Sequence, residues 1–316
     1  MGEQSAADAE LTTAYRREGE QHESSYSPAK PAQATCKPRP HSDVVVVIPV
    51  RADPLVRKAL CSIPNGVDVV VSMNDPSEEV RCIVSEFAAA CPNLIVVETT
   101  KVGMAAAVNL GVSTARRDKI VMLDSDCELD NDTLPAYSRA LDHSSFVRGR
   151  TEVAAGQGWS SFSGLGQAAL NEAFARHPRL IGPSIAFRRS AFLKLGGYDD
   201  ESGGSCDHEF VLRMEDKDIV PAYEPAAVIR HQPITFRIDC RSHVGYGRSM
   251  KYIDAKRGGR YGLSICLLRF YPSVLWTKLR QRGLASVLRS FVMGSLMLLG
   301  YCMGPPCPNT FLRSRP

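Results

Sequence analysis

Apolar positions along this chain come in short solid blocks rather than in simple alternation. Val44–Ile48, Val67–Val71 and Ile120–Leu123 are uninterrupted apolar runs rich in β-branched residues, each bounded by charged or turn-forming residues. Runs of that length predict strands buried on both faces, as in a mostly parallel sheet. Pro49 has no N–H for a ladder and is expected to end the first strand. Between these runs, 54–63, 78–90 and 103–115 read as helices, and Leu94–Glu98 as a short strand. Further on, helix 134–141 follows Asn131 and Asp132 as cap candidates, and Phe146–Glu152 reads as a strand. A Gly/Ser-rich loop is expected at Gly156–Gly166, then helix 167–176 and a strand Leu180–Arg188 with a Gly-Pro bend. Ser190 would cap a helix ending at Leu195, and Ile219–Glu224 and Ala227–His231 would close the sheet. Strands alternating with helices predict an α/β fold with a mixed, mainly parallel sheet flanked by helices.

The pattern changes at both ends. Residues 1–42 are rich in Glu, Ser, Ala, Gln and Pro without a sustained apolar period and predict a disordered tail. The α/β domain is expected over 43–235, basic and amphipathic helices over 236–304, and a flexible tail over 305–316 after the prolines. The apolar run Phe291–Met303 is shorter than the roughly 20 residues that span a bilayer. Two readings of these helices stand: they lie on an anionic membrane surface, or they pack on the domain or on a second copy. Net charge is +4, too mild to argue for nucleic acid. Ten cysteines are scattered without a Cys-x-x-Cys pair, and no apolar signal segment follows Met1. Reduced thiols, no structural zinc and a cytoplasmic location, peripheral to the inner face of a membrane, are the expectations.

Candidate chemistry centres on Asp124-Ser125-Asp126, directly after the apolar run ending at Leu123. Two carboxylates one residue apart repel, and burying even one costs several kcal/mol unless a cation or hydrogen bonds compensate. A hard cation such as Mn²⁺ or Mg²⁺ would do so and leave positions for a diphosphate. A solvated acidic turn is the competing reading. Upstream stands Lys101-Val102-Gly103 leading into the small-residue helix with Asn109. Downstream stand Leu195-Gly196-Gly197-Tyr198-Asp199-Asp200 and then Asp207-His208-Glu209-Phe210.

In order and spacing, these motifs resemble the inverting family-two glycosyltransferases of the GT-A (Rossmann-like) fold, over about Asp43 to Lys251. The resemblance implies a metal-dependent transferase, of hexosyltransferase type. It would move a sugar from a nucleoside-diphosphate sugar, UDP first, to a hydroxyl acceptor on a glycan, glycolipid or specialised metabolite. It places the nucleotide against Pro49, Arg51, Asn74, Asp75, Gly103, Asn109, Asp124, Ser125, Asp126 and Arg248. It places the metal at Asp126, Asp124 and His231. The base falls on Asp207, with Glu209 as its competitor. Two positions depart from the family pattern: Asn74 stands where a carboxylate is usual, and Cys206 where a glutamate is. They keep open a non-catalytic nucleotide-sugar scaffold. A sugar nucleotidyltransferase is the other alternative, but 49–53 lacks the glycines its loop would need.

Overall fold

The computed structural model describes residues 43–154, 159–268, 270 and 272–304; the expected tails 1–42 and 305–316 lie outside them. The first half is a run of strand–helix units: β1 (Val44–Val50), α1 (Val56–Cys61), β2 (Asp68–Asn74), α2 (Glu78–Ala90), β3 (Leu94–Thr99), α3 (Met104–Thr114) and β4 (Lys119–Met122). β1 is buried at every position and runs parallel between β2 and β4, with Val46 opposite both Val69 and Val121. Alternate residues of β1 serve opposite faces. Val44, Val46 and Ile48 join one core with residues of α1 and α2; Val45 and Val47 join the other with residues of α3.

Pro49 lies inside β1, opposite Ser72, and does not end it. The Val47 carbonyl accepts the Leu123 N–H at 3.0 Å, so odd-numbered residues of β1 turn their backbone groups toward β4. β4 has ended before Pro49 is reached, and the missing N–H has no ladder partner to lose.

The second half comprises β5 (Cys127–Leu129), α4 (Thr133–His143), β6 (Phe146–Val153), α5 (Trp159–Arg176), β7 (Ile185–Arg188), α6 (Arg189–Lys194), α7 (Cys206–Glu215) and β8 (Ala222–His231). The sheet order is β3-β2-β1-β4-β7-β6-β8-β5. β4–β7, β6–β7 and β5–β8 are antiparallel and the other pairs parallel, the mixed, mainly parallel sheet expected.

Several local expectations are corrected. The described part of the Gly/Ser-rich loop belongs to α5, which starts at Trp159. The Trp159 indole N–H donates to Asp239 at 2.9 Å and its ring meets Phe236 edge-on, tertiary contacts that outweigh weak helix propensity. The strand expected from Leu180 begins only at Ile185, because Gly182 takes φ +81°. Asp118, not Ser190, caps α6: its carboxylate accepts the Ser190 N–H at 2.9 Å. Asp132 occupies the cap position of α4 without a side-chain bond. The two closing segments are one strand, β8, whose pairing with β6 shifts register between Arg148 and Arg150.

Three more helices follow: α8 (Phe236–Arg257), α9 (Tyr261–Leu268) and α10 (Pro272–Met303), the last broken at Gly283, φ 76°. α10 packs along α8 backbone to backbone. A Cβ at Gly247 would lie 1.9 Å from the Met297 carbonyl oxygen, and one at Gly300 2.0 Å from that of Val244. Gly247→Ala is therefore expected to force the helices apart and destabilise the fold by at least about 1–3 kcal/mol, read as a lowered Tm in thermal unfolding.

Asp239 on α8 holds the same junction together. It is buried, accepts from Trp159 and from Arg289 of α10 (2.7 Å), and lies 3.0 Å from His243 Nδ1. Burial alone would raise its pKa, but the His243, Arg289 and Trp159 contacts outweigh it and hold the carboxyl well below the ordinary range. Its stabilisation is thus present above about pH 4, where the unfolded carboxyl ionises, and is lost as pH falls toward the depressed folded value. Asp239→Ala strands the Arg289 charge and is expected to cost about 3–5 kcal/mol at neutral pH, with the difference from wild type shrinking in acid, measured by denaturant unfolding across pH.

Candidate active site

The carboxyl ends of parallel strands, at the edge where strand order reverses, are where α/β sheets of this kind hold ligands. β4 ends there, and the chain turns tightly, the Cys127 N–H reaching the Asp124 carbonyl at 3.0 Å. β5 then pairs antiparallel with β8 in a register that sets Cys127 opposite His231. That pairing brings together residues more than a hundred positions apart in the chain: Asp126 Oδ2 lies 3.3 Å from His231 Nε2. The turn is braced from behind, since Ser125 donates to Asp53 Oδ2 at 3.3 Å and the Asp126 carbonyl accepts the Gln232 N–H at 2.9 Å.

Asp124 opens the same turn. Burial, and then the Asp126 charge, push its carboxyl well above the ordinary carboxylate range; His231 opposes them, and Asp207 adds a smaller push in the same direction. Asp207 therefore belongs to the same electrostatic cluster. It stands in the first turn of α7, where Oδ2 accepts the Gly182 N–H at 2.9 Å and Oδ1 the His208 N–H at 2.8 Å. Those two bonds fix the carboxylate while leaving lone pairs on each oxygen.

The donor set fits a hard divalent cation. His231 Nδ1 is 2.6 Å from the Gln232 carbonyl, an acceptor, so Nδ1 carries a proton, and Nε2 faces a carboxylate oxygen of Asp126. Two lone pairs at 3.3 Å call for a cation or a proton between them. Asp126, Cys127 and His231 offer ligand atoms within 4.8 Å of one another. Burial, with Asp124 and Asp126 nearby, drives the Cys127 thiol up, so it stays protonated, 3.6 Å from Asp126 Oδ1. The available ligands are thus oxygens and one imidazole nitrogen, suited to Mn²⁺ or Mg²⁺ rather than to a thiolate-seeking metal.

Other candidate residues have partners that define their work. Asn74 donates from Nδ2 to the Lys101 carbonyl and accepts the Gly103 N–H at Oδ1, 3.0 Å. A carboxylate cannot make the first bond, which accounts for the amide here. Gly103, φ +126°, is the residue before α3 that these bonds anchor. Asn109 has the hydrogen-bonding duty its place in a helix predicts, but toward protein: it exchanges two 2.8 Å bonds with the Tyr198 backbone and donates to Asp200. It pins the Gly-Gly-Tyr-Asp turn to α3, and a Cβ at Gly197 would come within 2.7 Å of its oxygen. Arg51 and Asp75 pair with each other at 2.8 Å, both partly open to solvent beyond β1 and β2. Asp75 has φ 50°, and Ser77 caps α2.

Glu209 is closed off from a substrate by burial and by its two cationic partners. It is 1% exposed, with Oε2 held by Arg213 at 2.7 Å and Oε1 by Lys256 at 3.3 Å. Arg213 in turn donates to the Leu195 and Gly197 carbonyls, so Glu209 locks the turn that leads into α7. Cys206 is buried in the core with Tyr198 and Phe210, where a glutamate would need a counter-charge of its own. Arg248 donates to the Gly304 carbonyl at 3.3 Å and ties α8 to the end of α10.

On α8, Tyr246 lies beside Gly204, just before α7, and feels the charges of the cluster. Burial, followed by the charges of Asp207, Asp124, Asp239 and Asp126, pushes its hydroxyl up to about 12 while the ring keeps an edge in solvent. Sequence reading passed over Tyr246 and Asp53; a polar helix gives no signal of which face meets a site built from distant strands. Arg148 was missed too. It is fully buried on β6, bonded to the Ser184 carbonyl and Thr151, stacked on Phe174, and Asp207 is the carboxylate that acts on it.

Comparison with known proteins agrees with this geometry. No curated protein matches the sequence. Among solved structures, the mannosyltransferase PcManGT from Pyrobaculum calidifontis, in complex with GDP-Man and Mn²⁺, aligns with a TM-score of 0.61 at 17% identity, over 94% of this chain and 95% of that one. Residues 1–349 of TarS from S. aureus align with a TM-score of 0.49 at 17% identity, over 67% of this chain and 64% of that one, less than two thirds of its length. The fold assignment rests on the first. Residues 45–196, which take in nearly all of β1 and the acidic turn after β4 and stop at Gly196, match the model of glycosyl transferase family 2. That match covers just under half of the chain, and the fold that carries it is of the GT-A type.

Proposed function

We propose that this protein is an inverting glycosyltransferase that uses a nucleoside-diphosphate sugar, a UDP-sugar first among the candidates, and a hydroxyl acceptor on a glycan, glycolipid or specialised metabolite. The observation that carries the proposal is the convergence of Asp124, Asp126, His231 and Asp207 at the carboxyl end of the sheet. PcManGT, on the same fold, binds GDP-Man with Mn²⁺, which supports a nucleotide sugar and a divalent cation as the ligands of this crevice. Mn²⁺ or Mg²⁺ held by Asp126, with Asp124 and His231, would neutralise charge on the departing diphosphate.

The chain's own residues divide the rest of the work. Asp207, fixed by the Gly182 and His208 N–H groups, takes the proton of the acceptor hydroxyl as that oxygen attacks the anomeric carbon from the face opposite the diphosphate. Tyr246 stays protonated at working pH and donates a hydrogen bond to a ligand oxygen over the carboxylates. Pro49, Arg51, Asp75 and the Asn74–Gly103 link shape the rim on the nucleotide side. Glu209 and Arg248 act on the fold around the site rather than on substrate. A cytoplasmic position at a membrane's inner face belongs to the same proposal.

The test is a donor panel of UDP-, GDP- and dTDP-sugars with Mn²⁺, following nucleoside diphosphate release and the anomeric configuration of the product by NMR. Release from one nucleotide class, with inversion, supports the reading. Release of pyrophosphate from a sugar phosphate and a nucleoside triphosphate would replace it with nucleotidyl transfer.

A further inference from the structure

Residues 236–304 hold twelve Lys and Arg against two Asp and no Glu. Both aspartates are buried and committed inside the fold: Asp239 to Trp159 and Arg289, Asp254 to the Gly262 and Leu263 N–H groups and the Tyr301 hydroxyl. What this segment shows to solvent is therefore cationic, with Arg237, Arg260 and Arg280 exposed. It is also apolar. Of seventeen large hydrophobic side chains exposed among the described residues, thirteen lie here.

On α10 after Gly283, the exposed ones are Leu284, Leu288, Phe291, Val292, Leu299 and Met303. Steps of three and four residues keep them on one side of the helix, interrupted only by the small Ser295. The opposite side carries Met293 and Met297, both buried, and Gly300 against α8. A helix on the surface of a fold surrounded by water turns a polar face outward. α10 is apolar on both faces after Gly283, and Trp276 and Leu279, before that break, are exposed as well.

We propose that the outer face of α10 is a docking surface for an anionic bilayer leaflet, with the helix lying flat at the boundary of headgroups and acyl chains. Charge complementarity selects this occupant: Arg280 is exposed on α10 itself, Arg237 and Arg260 on the adjoining part of the segment, and anionic lipids would meet these charges while the leucines and Trp276 enter the apolar layer, whereas a second copy would bring like charges together. A flat orientation follows from packing. Gly283–Met303 is 21 residues long with mean hydropathy 1.5, long and apolar enough to cross a membrane. Its inner face, however, is in backbone contact with α8, and Lys251 of α8 lies 4.7 Å over the Tyr301 ring. Crossing would either carry Arg248, Lys251 and Asp254 into hydrocarbon or strip α10 from α8.

The experiment is co-sedimentation of the full chain with phosphatidylcholine vesicles, with and without phosphatidylglycerol. It is repeated in high salt and with the triple variant Leu284→Gln, Leu288→Gln, Leu299→Gln. These side chains point outward, so the variant is expected to keep the wild-type Tm. The proposal predicts binding to the anionic vesicles alone, release by salt, and at least about a tenfold loss of partitioning in the triple variant. Three results would overturn it: no binding to either vesicle, binding that only detergent reverses, or a lipid-free dimer that the triple variant dissociates.

Discussion

Asp207→Asn is expected to lower kcat by about 10²–10⁴-fold, the usual worth of a positioned general base, while leaving donor affinity unchanged. The side chain keeps its size and one accepting oxygen. Of its two backbone bonds, from Gly182 and His208, one is lost where the new amide meets an N–H, a loss of about 1 kcal/mol that thermal unfolding would register as a small decrease in Tm. The catalytic loss far exceeds that because an amide cannot take the acceptor's proton at neutral pH. Glu209→Gln is the contrasting variant. It breaks the ion pairs with Arg213 and Lys256, so its effect should appear in stability, with kcat recovering where the fold is intact. A loss in Asp207→Asn of less than about tenfold would assign proton removal to another group.

The second large effect is on cation binding. Without metal, Asp124 and Asp126 repel and burial penalises the charge on Asp124, so the acidic turn detracts from stability by itself. Asp126→Ala removes one charge of that pair and leaves the His231–Gln232 bond in place. The metal-free variant should therefore unfold at the wild-type temperature or slightly above it. With Mn²⁺, wild type should gain Tm through linkage and the variant should not. Loss of a direct ligand is expected to weaken Mn²⁺ binding by more than the about 10–100-fold that an outer partner commands. Equal stabilisation of both proteins by Mn²⁺ would place the ion elsewhere.

How far the sequence revealed this site depended on whether a residue's partners were near it in the chain. The acidic turn was legible because an apolar strand ending in two carboxylates has few inexpensive structural explanations. Asp207 was legible through the glycine turn that precedes it. The role of Asn74 was not, because its partners Lys101 and Gly103 are more than twenty residues away and only the fold shows that one bond requires a donor. Glu209 looked like a second base until its burial against Arg213 and Lys256 was seen. For the fold, solid apolar runs located β1, β2 and β4, with ends that differ by up to three residues. Glycines misled in two ways. Those at 164 and 166 lie in a helix held by Trp159, and the one at 182 ended a strand expected to pass through it. The three-residue β5, which sets the Asp126–His231 contact, is too short for any periodic signal.

The central claim is a cation-dependent nucleotide-diphosphate site at the acidic turn, and calorimetric titration of the intact protein with UDP, GDP and dTDP, each with and without Mn²⁺, tests it most directly. One nucleotide is expected to bind with Mn²⁺ present and to lose that affinity when the ion is withheld. Failure of all three to bind a folded protein in the presence of Mn²⁺ would contradict the account.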